Sequence, residues 1–345
     1  MTNSHRYCSS VDHPQLTLIM PVHGTLTQWV PALRALDLLS PVPEQIVVVT
    51  DVPLTADDKA LFPVGAVNVT VPFASGPAKA RNAGVTAASG QILLFVDADV
   101  VIPPDTVQQV REQFARYPGI AALFGSYDIY PGDLDFLSQY RNLMHHYVHQ
   151  CAHEIAGTFW GGLGAIRAEA FRSVGGFDVA YGVPSIEDIE LGVRLRDEGW
   201  DIRLVKTLQG CHLKRWTSLG MLRTDLWQRG VPWMRLILAR GKAPSDLNTS
   251  RASRWSTLLT WIGVVLLPLS VLSIVWVGVA LMALLIVIGF NLPFYRFLAQ
   301  CRGVGFALRS IPWHLLYFLE CGLAVILGLL LHYRDQLWHR RVRNS

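Results

Sequence analysis

The chain has 345 residues, 51% of them hydrophobic and 16% charged, with a mean hydropathy of +0.31, which excludes a disordered or fibrous protein. A formal net charge of +4 is too small for nucleic-acid binding without a clustered basic stripe, and the first 200 residues carry none. Five cysteines, Cys8, Cys151, Cys211, Cys301 and Cys321, form no C-x-x-C pair, so neither a disulfide framework nor a cysteine zinc site is favoured and a reducing, cytoplasmic setting fits.

Residues 1–15 read as a polar tail without the apolar core of a signal peptide, so the first 250 residues are expected in the cytoplasm. Residues 16–20 and 46–50 are short apolar, β-branched runs closed by Pro or Asp, and 92–96 is apolar throughout, as strands buried on both faces are. Between them, 29–39 and 78–88 have helical spacing, the second opened by Gly76-Pro77 and closed by Gly90. The pattern is βαβα, and such sheets bind ligands beyond the carboxyl ends of their strands.

Asp97-Ala98-Asp99 follows the third strand. Residues i and i+2 of an extended chain point the same way, so two carboxylates converge where a ligand would sit and repel unless a divalent cation bridges them; a cap for the next turn is the plainer alternative. The run from Gly76 to Gly84 places Lys79 and Arg81 on a first helical turn, where an anion is already favoured, although a solvated helix start explains them equally. The spacing predicts a helix over 136–148, whose neighbouring His145, His146, His149 and His153 read as structural for want of an H-E-x-x-H.

Gly161-Gly162-Leu163-Gly164 lets backbone approach a ligand closely or simply makes a tight turn. Ser185 and Asp188 read as a capping box opening a helix that ends at Gly199, while a carboxylate there that faces the cleft serves as a general base. After the strand-like 202–205, His212-Leu213-Lys214-Arg215-Trp216 offers a second ligand to a metal held by Asp99, or a hydrogen-bonded structural histidine. Residues 217–250 mix Leu, Trp and Arg as an amphipathic helix pair at a membrane interface does, or as a helix packed on the domain does.

From Trp255 to Tyr295 no residue is charged, and 41 residues would form about 60 Å of helix against a hydrocarbon core of about 30 Å. Two spans, 256–276 and 278–295, are expected, with a third at 311–333 in which Glu320 is the only charge and a basic tail at 334–345. Glu320 marks either a function or a carboxyl bonded within its own bundle. Arg251, Arg254, Arg296, Arg302 and Arg309 obey the positive-inside rule; the tail arginines do not, which keeps a two-span or re-entrant arrangement open.

Taken in order, Leu18-Ile19-Met20-Pro21-Val22, the Gly76 to Gly84 run, Asp97-Ala98-Asp99, Gly175-Gly176-Phe177-Asp178 and Glu187-Asp188 resemble the membrane-anchored bacterial family 2 glycosyltransferases over residues 14–216. The resemblance implies an α/β GT-A fold, Rossmann-like with a mostly parallel sheet over 16–216, followed by transmembrane helices. It implies a nucleotide-diphosphate sugar donor, with a UDP-sugar expected, and Mg²⁺ or Mn²⁺ at Asp99 with His212. Pro21, Asp51, Lys79, Arg81 and Asp97 would lie on the donor side, with Asp188 the catalytic base. Gly162, Glu187, Arg215 and Trp216 would lie on the acceptor or product side.

Three departures qualify the resemblance. Thr50-Asp51-Val52-Pro53 stands where the family has Asp-Asp-x-Ser, His212 replaces the Gln of the processive synthases' Gln-x-x-Arg-Trp, and their membrane segment before the catalytic domain is absent. The last two favour a single inverting addition to a hydroxyl of a lipid-linked or glycan acceptor in cell-envelope synthesis. The expected setting is the cytoplasmic (inner) membrane, multi-pass, with no nucleic-acid partner; the alternatives are a processive polysaccharide synthase and a non-catalytic sugar-nucleotide-binding scaffold.

Overall fold

The computed structural model describes residues 14–241 and 250–343. Most of the expected polar tail, the stretch 242–249 and the last two residues of the basic tail lie outside the described residues. In chain order the first domain comprises β1 (Leu16–Val22), α1 (Val30–Leu36), β2 (Gln45–Thr50), α2 (Ala56–Lys59), β3 (Val67–Thr70), α3 (Pro77–Thr86), β4 (Ile92–Val96), β5 (Val100–Val101), α4 (Thr106–Arg116), β6 (Ile120–Tyr127), α5 (Phe136–Cys151), β7 (Ile155–Ala156), β8 (Leu163–Arg167), α6 (Ala168–Ser173), α7 (Glu187–Asp197) and β9 (Asp201–His212).

The sheet runs β3-β2-β1-β4-β8-β6-β9-β5, with β7 added on β9. Its first half is parallel, Ile19 of β1 lying between Val47 of β2 and Phe95 of β4. The second half is mixed: β8 is antiparallel to both β4 and β6, β6 and β9 are parallel, and β5 is antiparallel to β9. The expected mostly parallel sheet is thus parallel from β3 to β4 and mixed beyond it. Both faces are covered, one by Leu33, Leu36, Val107 and Phe114 of α1 and α4, the other by Val85, Phe171, Leu191 and Leu195 of α3, α6 and α7. This double cover is why the central strands consist almost wholly of buried apolar residues.

The chain continues through α8 (Ser218–Arg223), a π-helical stretch (Thr224–Gly230) and α9 (Val231–Arg240) into α10 (Arg251–Leu266), α11 (Val275–Phe290), α12 (Leu292–Arg302) and α13 (Val304–Arg343). The segments Arg251–Val271 and Val304–Trp338 are long and apolar enough to cross a membrane; α11 and α12, bent by 61° at their junction, make a third span if counted as one. The helix boundaries differ from the apolar boundaries in the sequence. The expected span 311–333 is the middle of a 40-residue helix with Pro312 inside it, because backbone hydrogen bonds continue through polar residues at both ends. The expected span 256–276 loses its α-helical form at Leu267–Val271, where Pro268 offers no N–H.

Tyr140 and Leu143 of α5 pack with Trp216 and Met221 against Phe294, Tyr295 and Leu298 of α12, so the first domain and the C-terminal helices share one apolar junction. Arg141 and Asp225 form a buried ion pair beside it, within electrostatic reach of Glu320. Glu320, the lone charge of the third apolar stretch, thus lies near an ion pair that ties α5 to the π-helical stretch.

Candidate active site

Two turns and one strand pairing build the centre. Asp97 leaves β4 with its N–H donating to the Gly162 carbonyl (3.0 Å), and Val100 N–H closes the turn on the Asp97 carbonyl (2.9 Å). Chain direction then reverses into β5, whose Val100 pairs with His212 at the end of β9. That register, with Leu213 N–H on the Asp99 carbonyl (2.8 Å), brings His212 Nε2 to 3.4 Å from Asp99 Oδ2. Burial alone would raise the Asp99 pKa; the hydrogen bond and charge of His212 and the Lys214 ammonium bring it below the usual carboxylate range. Among the described residues no group of three or more His, Cys, Asp or Glu is placed to hold a metal ion; Asp99 and His212 are a pair.

Arg81 is 4% exposed and lies between two carboxylates, Nη2 at 2.6 Å from Asp97 and Nη1 at 2.8 Å from Glu187. The helix-start reading placed it beside a phosphate; in the fold both its faces are committed, and it acts as an internal strut tying α3 to β4 and α7. Lys79, two residues earlier, remains exposed. Burial pushes the Asp97 carboxyl up, and Arg81 offsets part of that rise.

Helix α7 begins at Glu187, and the expected capping box is not formed. Ile186 occupies the cap position without a side-chain bond, while Ser185 Oγ donates to the Gln228 carbonyl of the π-helical stretch (2.7 Å). Both Glu187 oxygens are used, one by Arg81 and one by the Ser185 N–H (3.0 Å). Asp188 accepts N–H bonds from Gly161 (2.9 Å) and Ile189 (2.8 Å) and is partly exposed. Burial, followed by the neighbouring Glu187 charge, pushes its pKa up to about 6 against the opposing pull of Arg81 and the two N–H groups. Gly161 and Gly162 are consecutive, so one dipeptide ties the Asp97 turn to Asp188.

Residues 66–175 match the family model described as Glycosyl transferase family 2. The chain carries a family 2 glycosyltransferase domain. Its fold is similar to that of the mannosyltransferase PcManGT from Pyrobaculum calidifontis in complex with GDP-Man and Mn²⁺, at 19% identity over 92% of this chain and 88% of that chain, with a TM-score of 0.59. Weaker likenesses include S. aureus TarS 1–349 (15% identity, 65% and 64% covered, TM-score 0.46) and GalNAc-T7 with UDP, GalNAc and Mn²⁺ (14%, 71% and 54%, TM-score 0.48). No curated protein matches the chain in sequence.

The remaining expected residues of the glycosyltransferase site divide by location. Asp51, at the end of β2, is bound by the His23 ring and by the N–H groups of Gly24 (3.0 Å) and Ala74 (3.1 Å), which pins the loops after β1 and β3 to each other. Burial would raise its pKa; those three partners outweigh it and leave the carboxyl low. Pro21 lies within β1, opposite Val49. The glycine at 162 is required by packing, since a Cβ there would meet the Trp160 ring at 2.5 Å. Arg215 and Trp216, expected on the acceptor side, occupy different settings. Arg215 is exposed and held by Asp135 (2.7 Å) and Asp133 (3.8 Å), and Trp216 is 5% exposed inside the α5–α12 junction.

Tyr127 and Trp160 are absent from the sequence-based expectations. The Tyr127 ring stacks on His212 with centroids 4.1 Å apart and 12° between planes, and Trp160 and His145 meet it at 4.9 and 4.3 Å. These rings fix the plane of the His212 imidazole. The apolar run 120–124 closing on an aromatic residue was the available signal. His146 and His149 are structural, bonded to the Tyr127 and Gly125 carbonyls.

Proposed function

We propose that the protein is a membrane-anchored inverting glycosyltransferase that moves one sugar from a nucleotide-diphosphate sugar to a hydroxyl of an acceptor at the membrane surface. The observation that carries this reading is the Gly161-Gly162 tie, which sets the Asp97–Asp99–His212 corner and the Asp188 carboxylate on either side of one backbone segment. Asp188, with a pKa near neutrality, is suited to take the acceptor proton as the acceptor oxygen bonds to the sugar carbon and the bond to the diphosphate breaks. Glu187 is buried with its two oxygens held by Arg81 and the Ser185 N–H, whereas Asp188, held by two backbone N–H groups, is partly exposed.

Asp99 and His212 fit a divalent cation, Mg²⁺ or Mn²⁺, of the kind held by few side chains and completed by phosphate oxygens. Such an ion supplies neutralisation of the charge on the departing diphosphate. Arg81 holds Asp97 in place, and the Tyr127 ring keeps His212 aligned on Asp99. The low-pKa Asp51, between the loops after β1 and β3, marks the end of the cleft expected to receive the nucleoside. Uracil is the base expected from the family resemblance, and guanine is the alternative raised by the GDP-Man complex of the Pyrobaculum calidifontis mannosyltransferase. His212, standing where processive synthases have Gln and committed here to Asp99, supports single addition. The two or three long apolar helices support anchorage in the cytoplasmic membrane, with synthesis of an envelope glycolipid or polysaccharide as the setting.

The test is nucleotide release by membranes carrying the full chain, against a panel of UDP-, GDP- and dTDP-sugars, with Mg²⁺ or Mn²⁺ supplied or chelated. Metal-dependent release from one donor, lost in Asp99→Asn and Asp188→Asn, is expected. Release that survives both substitutions would place the chemistry elsewhere.

A further inference from the structure

The third apolar stretch of the sequence becomes the middle of α13, and α13 keeps contact with the first domain near both of its ends. Near its start the Phe306 ring meets the ring of Phe136, the first residue of α5, at 4.9 Å, and the Arg309 guanidinium stands 4.1 Å from the same ring. Trp313 and Tyr317 pack on the junction of α5 with α12. Ala324 and Gly328 then lie against Gly230 and Met234, where a Cβ on either glycine would sit 2.7 Å from the facing side chain. Asp335 pairs with Arg235 of α9 at 2.7 Å, and Arg240 of the same helix pairs with Asp197 and, at 3.6 Å, with Glu190 of α7. The π-helical stretch before α9 is held to the domain as well, through Asp225 on Arg141 and Gln228 on Ser185.

These contacts limit how α13 can lie. Phe306 and Asp335 are 29 residues apart, about 44 Å of helix, comparable with the breadth of a compact domain of about 200 residues, whose radius of gyration is about 16 Å. No interval between successive contacts exceeds seven residues, about 10 Å, whereas crossing a hydrocarbon core of about 30 Å takes about 20 residues. One face of α13 is buried along its length, at Ser310, His314, Phe318, Ala324 and Gly328. On the opposite face Leu308, Ile326, Leu330, Tyr333 and Leu337 are exposed and, at 3.6 residues per turn, fall in one stripe. The α10–α11 hairpin crosses α13 on that exposed side. Trp261 Nε1 donates to the Leu319 carbonyl (3.1 Å) and its ring fills the space over Gly322, after which α10 runs on to the exposed apolar tip at Val271, Leu272 and Ile274. The stripe is thus continuous with the hairpin.

We propose that α13 does not cross the bilayer but lies along its surface, with the Leu308 to Leu337 stripe set in lipid and both ends on the side of the first domain. The α10–α11 hairpin leaves and returns on that side and reaches deeper than α13. Tyr333 and Trp338 sit at headgroup level, as amphipathic rings do. The arrangement also keeps Arg334, Arg340, Arg341 and Arg343 on the domain side, in accord with the positive-inside rule that a third span would break. It rests on the membrane anchorage proposed above and is independent of the transfer reaction.

The test is labelling of the full chain in bacterial cells with a membrane-impermeant maleimide, before and after permeabilisation. Cysteines are added singly at exposed positions, Glu112→Cys on α4 as the domain marker, Val304→Cys at the start of α13 and Trp338→Cys near its end, and labelling is read above that of the unaltered chain. All three are expected to stay unlabelled in intact cells and to label together on permeabilisation. Val304→Cys or Trp338→Cys labelling from the face opposite to Glu112→Cys overturns the proposal and leaves the anchorage standing. Labelling of all three in intact cells keeps the proposal and reverses the cytoplasmic assignment of the domain. Recovery of the full chain in the soluble fraction removes the anchorage and the proposal together. Contact with lipid is read from nitroxide labels on Leu308→Cys and Leu330→Cys in phosphatidylethanolamine–phosphatidylglycerol vesicles, with the signal of the unaltered chain subtracted. Both labels are expected at similar depth and more accessible to oxygen than to a water-soluble nickel chelate. Depths differing by about 33 Å, the length of 22 helical residues, or greater access to nickel at both, overturn the proposal.

Discussion

The two halves of the sheet hold their functional side chains by different means. In β1 to β4 each group sits within a few residues of its own strand end: Asp51 leaves β2, and Asp97 and Asp99 leave β4 in a single turn. In β5 to β9 the places are set by pairing over long sequence separations. His212 reaches Asp99 through its register with Val100, and Asp188 reaches Gly161 because α7 packs against the segment before β8 with no room for a side chain at Gly192. The first half is specified by local pattern; the second is specified by close approach, and small changes in shape propagate into it.

The largest expected effect falls on the base. Asp188→Asn lowers kcat by about 10²–10⁴-fold while nucleotide binding measured by calorimetry persists. A variant that keeps its rate would show that the acceptor oxygen arrives already anionic. The same carboxyl sets a pH profile. With its pKa raised to about 6, Asp188 is protonated and inactive as a base at lower pH, so kcat rises with pH through about 6 and levels above it. Glu187→Gln removes the neighbouring charge that helps raise it and moves that midpoint down.

Breaking the strut between the halves comes next. Arg81→Met leaves the buried Glu187 and the half-buried Asp97 without their counter-charge and costs about 3–5 kcal/mol, read as a lower denaturation midpoint of the purified chain. Gly192→Ala tests the close approach itself. Its Cβ would meet the Phe159 backbone nitrogen at 2.1 Å, and overpacking of this kind costs about 1–3 kcal/mol. A comparable loss from Gly84→Ala, where the obstacle at 2.4 Å is the Ile19 side chain, would blur the contrast between backbone-limited and side-chain-limited sites. Arg215→Gln gives the smallest effect, under about 1 kcal/mol, because an exposed arginine paired with Asp135 and Asp133 is well screened. A large loss of transfer in that variant would return Arg215 to the acceptor side.

Much of the first half is legible from residue order. The runs 16–20, 46–50 and 92–96 lie in β1, β2 and β4, and Pro77 opens α3 as its fixed φ and missing N–H favour. The Asp97-x-Asp99 spacing points to a ligand corner, since two residues apart on extended chain share a face. Arg81 shows where such reading stops. A basic residue on a first helical turn looks like an anion binder, but whether its guanidinium meets phosphate or carboxylate depends on Asp97 and on Glu187, 106 positions away in the chain. Trp216 shows the same limit: its motif neighbours suggest a substrate contact, while the apolar surface of α12 draws the indole inward.

By itself the sequence determined the βαβ opening, the acidic corner at the end of β4, the carboxylate at the start of α7 and the presence of long apolar helices, because strand and helix periodicity, turn residues and hydropathy are local properties. Only the tertiary structure decided that His212 meets Asp99, that Arg81 is a strut, that Asp188 stays partly exposed while Glu187 is buried, and that Gln228 and Gly230 link the loop before α7 to α13. Those outcomes depend on register and on which buried charges find partners, and both are settled by the chain as a whole.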